Sequence, residues 1–169
     1  MSFQETGLPG LLLYQPRVFG DERGFFMESW KREVFASQGL ELDFLQDNHA
    51  HSREAGVLRG LHFQRPPAAQ TKLVRVSRGA VYDVAVDLRR GSPSFGRSFG
   101  VILSAENHVQ LLVPKGFAHG YLTLESNTDF LYKVDAPYAP DCDAGLLWND
   151  PDLGIEWPVT TPILSAKDH

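Results

Sequence analysis

From Leu73 onward, short runs of β-branched and aromatic residues alternate with turn-forming clusters at nearly regular spacing. Leu73–Ser77 breaks at Arg78-Gly79, Val81–Leu88 at Arg90-Gly91-Ser92-Pro93, and Phe99–Leu103 at Ala105-Glu106-Asn107. Val109–Val113 ends at Pro114-Lys115-Gly116, Tyr121–Leu124 at Ser126-Asn127, and Phe130–Val134 before Pro137. Glycine and asparagine tolerate the left-handed backbone of turns, and proline removes a ladder donor, so each cluster ends a strand. Short strands at this spacing predict an all-β sandwich or barrel and not βαβ units. One helix is expected before the barrel: Ser29 caps a run from Trp30 to Gln38 that closes on Gly39. The chain shows no internal repeat, and Arg65-Pro66-Pro67 and Pro137–Pro140 are too short to act as linkers. A single domain spanning residues 1–169 is expected.

Composition narrows the functional classes. The 169 residues are 43% hydrophobic and 22% charged, with 15 Gly and 11 Pro, which excludes disordered, collagenous and coiled-coil chains. A net charge of -5 provides no global positive field for phosphodiester backbones or anionic lipid, so neither nucleic acid nor membrane is an expected partner. The lone Cys142 cannot form an internal disulfide, and Met1 opens a polar stretch without the apolar core of a signal peptide. A cytoplasmic protein is expected.

The residues that offer chemistry begin with Arg59-Gly60-Leu61-His62-Phe63-Gln64. Strand alternation predicts His62 and Gln64 on one face with Gly60, and Arg59 and Phe63 on the other. Lys72 opens the next strand, and Asp83, His119 and Tyr132 lie within the barrel segments; these are the residue types of general acid–base chemistry. Each also has a structural reading: Asp83 as a turn cap, His119 as a satisfied loop residue, Tyr132 as an amphipathic strand residue with a wet hydroxyl. Pro114–His119 matches the second motif of metal-binding cupins. The first motif is broken, because His62-Phe63-Gln64 is followed by prolines and Lys72 where His-x-His and Glu are needed. A divalent ion takes three or four donors, and a nearby ammonium repels it, so a metal-free barrel is expected. No phosphate-cradling glycine loop is present, which leaves arginines such as Arg23 and Arg59 to hold anions.

Together these segments resemble the nucleotide-sugar epimerases typified by dTDP-4-dehydrorhamnose 3,5-epimerase. The resemblance runs from Phe19-Gly20-Asp21-Glu22-Arg23-Gly24-Phe25-Phe26-Met27-Glu28 through Gln46-Asp47-Asn48, Val57–Gln64, Lys72–Val76 and Asp83–Pro93 to Gly116–Gly120. It continues in Leu131-Tyr132-Lys133, Tyr138-Ala139-Pro140, Asn149-Asp150-Pro151, Trp157-Pro158 and Leu164–Asp168. It implies a dimeric double-stranded β-helix, the cupin jelly roll, working without metal or organic cofactor on a dTDP-4-keto-6-deoxy sugar. By motif, His62 matches the general base, Asp168 the carboxylate that orients it, Tyr132 the acid on the opposite face, and Lys72 the cation at the 4-keto oxygen. Arg23, Phe26, Glu28, Gln46, Asn48, Arg59 and Tyr138 match nucleotide and diphosphate contacts, some reaching in from a neighbouring subunit, and His119 joins the substrate-binding set. The chain departs from the pattern at Ala50, where Ser is usual, at Thr71 (Gly) and at Asp143 (Glu), and it stops directly after Asp168. A carboxylate so close to a chain end keeps its place only if the tail docks. The expected reaction is inversion at C3 and C5 of dTDP-4-dehydro-6-deoxy-D-glucose to give dTDP-4-dehydro-L-rhamnose. A single-site epimerase of another dTDP-deoxysugar pathway and an inactive nucleotide-sugar-binding cupin remain the alternatives.

Overall fold

A computed structural model describes residues 1–169. The strands, in chain order, are β1 (Ser2–Glu5), β2 (Leu12–Gln15), β3 (Val18–Asp21), β4 (Gly24–Met27), β5 (Gln46–Ser52), β6 (Leu58–Gln64) and β7 (Lys72–Arg78). They continue with β8 (Ala80–Asp87), β9 (Ser98–Ser104), β10 (Gln110–Val113), β11 (Phe117–Thr123), β12 (Thr128–Val134) and β13 (Asp143–Gly145). One sheet has the order β1-β2-β10-β7-β12-β5 and the other β13-β6-β11-β8-β9, every pairing antiparallel. The two form the expected jelly-roll sandwich. No helix is long and apolar enough to cross a membrane.

Alternation along the strands fills the space between the sheets. Val74, Val76, Val81, Ala85, Leu103, Leu111, Val113, Phe117, Tyr121 and Phe130 form one buried cluster there. Each outer face is covered separately. Tyr14, Leu73 and Leu112 on the six-stranded sheet pack against Phe35, and the 146–157 segment brings Leu146, Leu153, Ile155 and Trp157 over Leu61, Val84, Val86 and Ala118. The polar residues gather at one end of the space between the sheets.

Three expectations change. The helix, α1, is shorter and spans Arg32–Ala36; its N-cap is Lys31, without a side-chain capping bond. Ser29 precedes that N-cap by two residues, and its carbonyl accepts from Gln110 Nε2 on β10 at 2.7 Å. His119 sits on β11, which begins four residues before the expected Tyr121. Small Ala118 and Gly120 do not read as strand residues, yet they fit a strand enclosed on both faces. Most consequentially, Arg59 and His62 share a face. Opposite β11, His62 pairs with His119 but Arg59 pairs with Tyr121, so β6 carries one extra residue. Such a bulge reverses the alternation on one side of it. Gly60 occupies the bulge with φ 127°, and a Cβ there would lie 2.6 Å from Gly120 Cα. Only glycine fits both the backbone and the space. Leu61 and Phe63 keep their outward face, while Arg59 turns inward with His62.

Candidate active site

The inward faces of β6, β7, β11 and β12 enclose a cavity of about 310 Å³ lined by Arg59, His62, Lys72, His119, Tyr121, Phe130 and Tyr132, with Ser165, Lys167 and Asp168 from the C-terminal segment. His62 and Tyr132 come from opposite sheets. His62 Nε2 lies 2.5 Å from Asp168 Oδ1, and the Ser165 hydroxyl donates to Asp168 Oδ2 at 2.6 Å. The tail docks: Ile163 bridges to Val57, Leu58 N–H donates to the Ile163 carbonyl at 3.0 Å, and the Asp168 side chain is only 4% exposed. With Nε2 committed to the carboxylate, Nδ1 is the nitrogen left to exchange a proton.

Electrostatics divide the titratable groups by role. Burial pushes the His62 imidazole below its ordinary value, helped by Lys167 and Lys72 and opposed by Asp168, so it is neutral at neutral pH. The Lys72 ammonium is enclosed by protein, which brings it down to about 8 although Asp83 and Asp143 favour its charge. Burial raises Tyr132, against Arg59 and Lys167, so it keeps its proton through the neutral range. A neutral imidazole, a protonated phenol and an ammonium thus face one cavity. Asp83 is no turn cap: fully buried on β8, it holds His119 Nε2 at 2.9 and 3.0 Å through its two oxygens. No group of three or more His, Cys, Asp or Glu side chains is arranged to hold a metal ion.

The remaining sequence candidates divide into two sets. Gln46, Asn48 and Tyr138 line an adjoining cavity that shares His62, Lys72 and Tyr132. Gln46 Nε2 donates to Asn48 Oδ1 at 2.8 Å, and the Tyr138 hydroxyl donates to Asp143 Oδ2 at 3.2 Å. Gln64, on the His62 face, is a brace: its amide donates to the carbonyls of Ala68 and Pro137 and accepts from Ala139 N–H, fixing the loop that carries Tyr138. By contrast, Arg23, Phe26 and Glu28 line neither cavity. They lie on or just after the β3–β4 hairpin, with the Arg23 side chain 88% and Phe26 66% exposed. Tyr121, Phe130 and Lys167 also line the cavity, although they were not among the candidates drawn from the sequence. The alternation of β12 from Tyr132 back to Phe130 could have found one of them, and the position of Lys167 beside Asp168 another.

The fold and this cavity define a cupin-like jelly roll built for acid–base chemistry. Comparisons with known proteins make the class specific. The profile of the family described as dTDP-4-dehydrorhamnose 3,5-epimerase matches residues 5–169. A dTDP-4-dehydrorhamnose 3,5-epimerase of Shigella flexneri is 52% identical over 99% of this chain and 93% of its own. A crystal structure of the Bacillus anthracis enzyme of that name, with TDP and PPi bound, superposes with a TM-score of 0.97 at 56% identity, covering 99% of this chain and 95% of that one. A Legionella pneumophila dTDP-6-deoxy-D-glucose-3,5-epimerase in complex with dTDP-4-keto-L-rhamnose gives 0.94 at 45% identity, covering 99% and 89%. The chain belongs to the dTDP-4-dehydrorhamnose 3,5-epimerase family and is an isomerase.

Proposed function

We propose that the chain, acting as one domain over residues 1–169, inverts C3 and C5 of dTDP-4-dehydro-6-deoxy-D-glucose to give dTDP-4-dehydro-L-rhamnose. The observation that carries the residue roles is the His62–Asp168 pair facing Tyr132 across one cavity, with Lys72 beside them. A carbon next to a ketone releases its proton to an imidazole only if the enolate is stabilised as it forms. In this reading His62 Nδ1 takes that proton, Asp168 stabilises the imidazolium, and the Lys72 ammonium meets the developing oxyanion on O4. Tyr132 then delivers its hydroxyl proton to the opposite face of the same carbon, which inverts the centre. Both groups return to their starting states by proton exchange with solvent before the second inversion. No step calls for a metal. Arg59 and His119 hold the sugar diphosphate within the cavity, and Gln46, Asn48 and Tyr138 extend the contact along its neighbour. Incubating the protein with the 4-keto sugar nucleotide and excess chelator, then reading ring coupling constants by NMR, should show both centres inverted. One inverted centre would identify a single-site epimerase, a substrate inverted only when a divalent ion replaces the chelator would overturn the metal-free reading, and a substrate unchanged in both would leave only a binding protein.

The pH profile follows from the two titrating groups. His62 must be unprotonated, so kcat/KM rises with pH through its lowered value, below the ordinary imidazole range. Lys72 must be protonated, so activity falls as pH passes about 8. A bell with its plateau near neutrality is expected; a plateau extending two units above pH 8 would contradict the role of Lys72.

The active form is a homodimer in the cytoplasm. What supports the dimer is the β3–β4 hairpin, which presents Phe19, Phe25 and Phe26 to solvent while Arg23 and Glu28 stand away from their own cavity. A second copy would cover the aromatics and receive the charged residues. Light scattering of the active protein should give about twice 18.9 kDa; an active species of 18.9 kDa would refute it.

A further inference from the structure

The C-terminal segment carries the carboxylate that meets His62, yet past Ile163 no backbone hydrogen bond joins it to either sheet. Its one backbone bond beyond that point is internal, from Asp168 N–H to the Ser165 carbonyl at 3.0 Å. The Ser165 hydroxyl bond to Asp168 Oδ2 is internal as well. Two side-chain ties reach the barrel. One is Asp168 to His62, the contact the chemistry needs, and the other is Lys167 Nζ to Asp143 Oδ2. The two are made by consecutive residues to neighbouring strands. On β13, Gly145 pairs with His62 and Asp143 with Gln64, so Asp143 stands two residues along the ladder from the strand position that Asp168 contacts. Burial alone would raise the Asp143 carboxyl, but hydrogen bonds from Lys167 and Tyr138 outweigh it and keep it ionised and able to hold the tie.

We infer that Lys167 is a positioning residue of this site: by gripping Asp143 on β13 it fixes the tail so that the next residue, Asp168, presents its carboxylate to His62. Besides its direct electrostatic influence on His62, Lys167 acts on the base through Asp168 and needs no contact with the reacting carbon. The inference rests on the reading of His62 as the base, and a misplacement of the orienting group by about 1 Å is enough to cost about 100-fold in rate. Lys167→Met removes the ammonium and keeps an unbranched stem, Lys167→Arg restores the charge, and Asp143→Asn breaks the same tie from the other end. The first readout is the His62 Nε2–H proton, which a hydrogen bond as short as 2.5 Å should hold far downfield and protect from exchange. Wild type and Lys167→Arg should show it, while Lys167→Met and Asp143→Asn should lose it with the rest of the spectrum still dispersed. In turnover, Lys167→Met should lower kcat about 10- to 100-fold with KM changed by less than about twofold, rescued by Lys167→Arg. A purely structural ion pair would leave the downfield proton in place. A Lys167→Met protein that keeps that proton overturns the inference whatever its turnover. If wild type turns over nothing, the epimerase reading fails separately, because the proton reports on the tail without substrate.

Discussion

Replacing His62 with alanine is expected to suppress both the inversion and any exchange of the C3 and C5 protons with solvent, a loss of about 10⁴-fold in kcat, the upper end of what a general base contributes. In the proposed mechanism the variant removes the group that begins each half-reaction, so no enolate would form for Tyr132 to protonate. It also strands the Asp168 carboxylate, whose side chain is nearly enclosed and would keep only the Ser165 hydroxyl. Losing one partner of a buried carboxylate costs about 1–3 kcal/mol, so a lower melting temperature should accompany the loss of chemistry. The two effects separate in the readout: a folded His62→Ala protein still binds the dTDP moiety, and isothermal titration with dTDP measures that. Exchange at either carbon that persists at a tenth of the wild-type rate would mean another residue is the base, and the buried Asp83–His119 pair would be the next candidate.

Lys72→Met is expected to be the second largest effect, a fall of about 10²–10³ in kcat, the usual consequence of removing one donor aimed at a developing oxyanion. Methionine keeps the length and flexibility of the stem, which limits the packing cost. Its second signature distinguishes electrostatics from packing. The decline of wild-type activity above about pH 8 is assigned to Lys72, so the residual activity of Lys72→Met should lose that decline. Removing the cation also lifts one of the influences that lower His62, and the acidic limb should therefore move to higher pH. A variant with wild-type pH limbs would place the oxyanion contact elsewhere.

The barrel strands from Leu73 to Val134 were legible in the sequence because their apolar alternation reports one buried face and their turns are marked by glycine, proline and asparagine. β5 was not legible. Gln46, Asn48 and Ala50 face the polar space between the sheets, while Asp47, His49 and His51 face outward, so a strand with a functional inner face carries no hydrophobic signal. The same reason hides the inward turn of Arg59: alternation is a rule for regular strands, and the extra residue at Gly60 breaks it where the cavity needs two polar groups from one strand. Of the candidate site, the motifs gave the identities of His62, Lys72, Tyr132 and Asp168, whereas their convergence depends on contacts between residues as much as 106 positions apart. Docking of the last residues could not be read from composition either. It depends on Ile163 reaching Val57 and on Lys167 reaching Asp143.

In the proposed mechanism two groups on opposite sheets act on the same carbon, one removing its proton and one delivering another. The most direct test compares wild type with Tyr132→Phe in deuterated water, following deuterium at C3 and C5 and the configuration of each carbon by NMR in the same sample. Wild type should gain deuterium at both carbons with inversion. Tyr132→Phe should retain exchange while inversion is slowed far more, because His62 can return a solvent-derived deuteron to the face it came from. Inversion by Tyr132→Phe at the wild-type rate, or equal loss of exchange and inversion, would mean that Tyr132 is not the opposite-face proton donor.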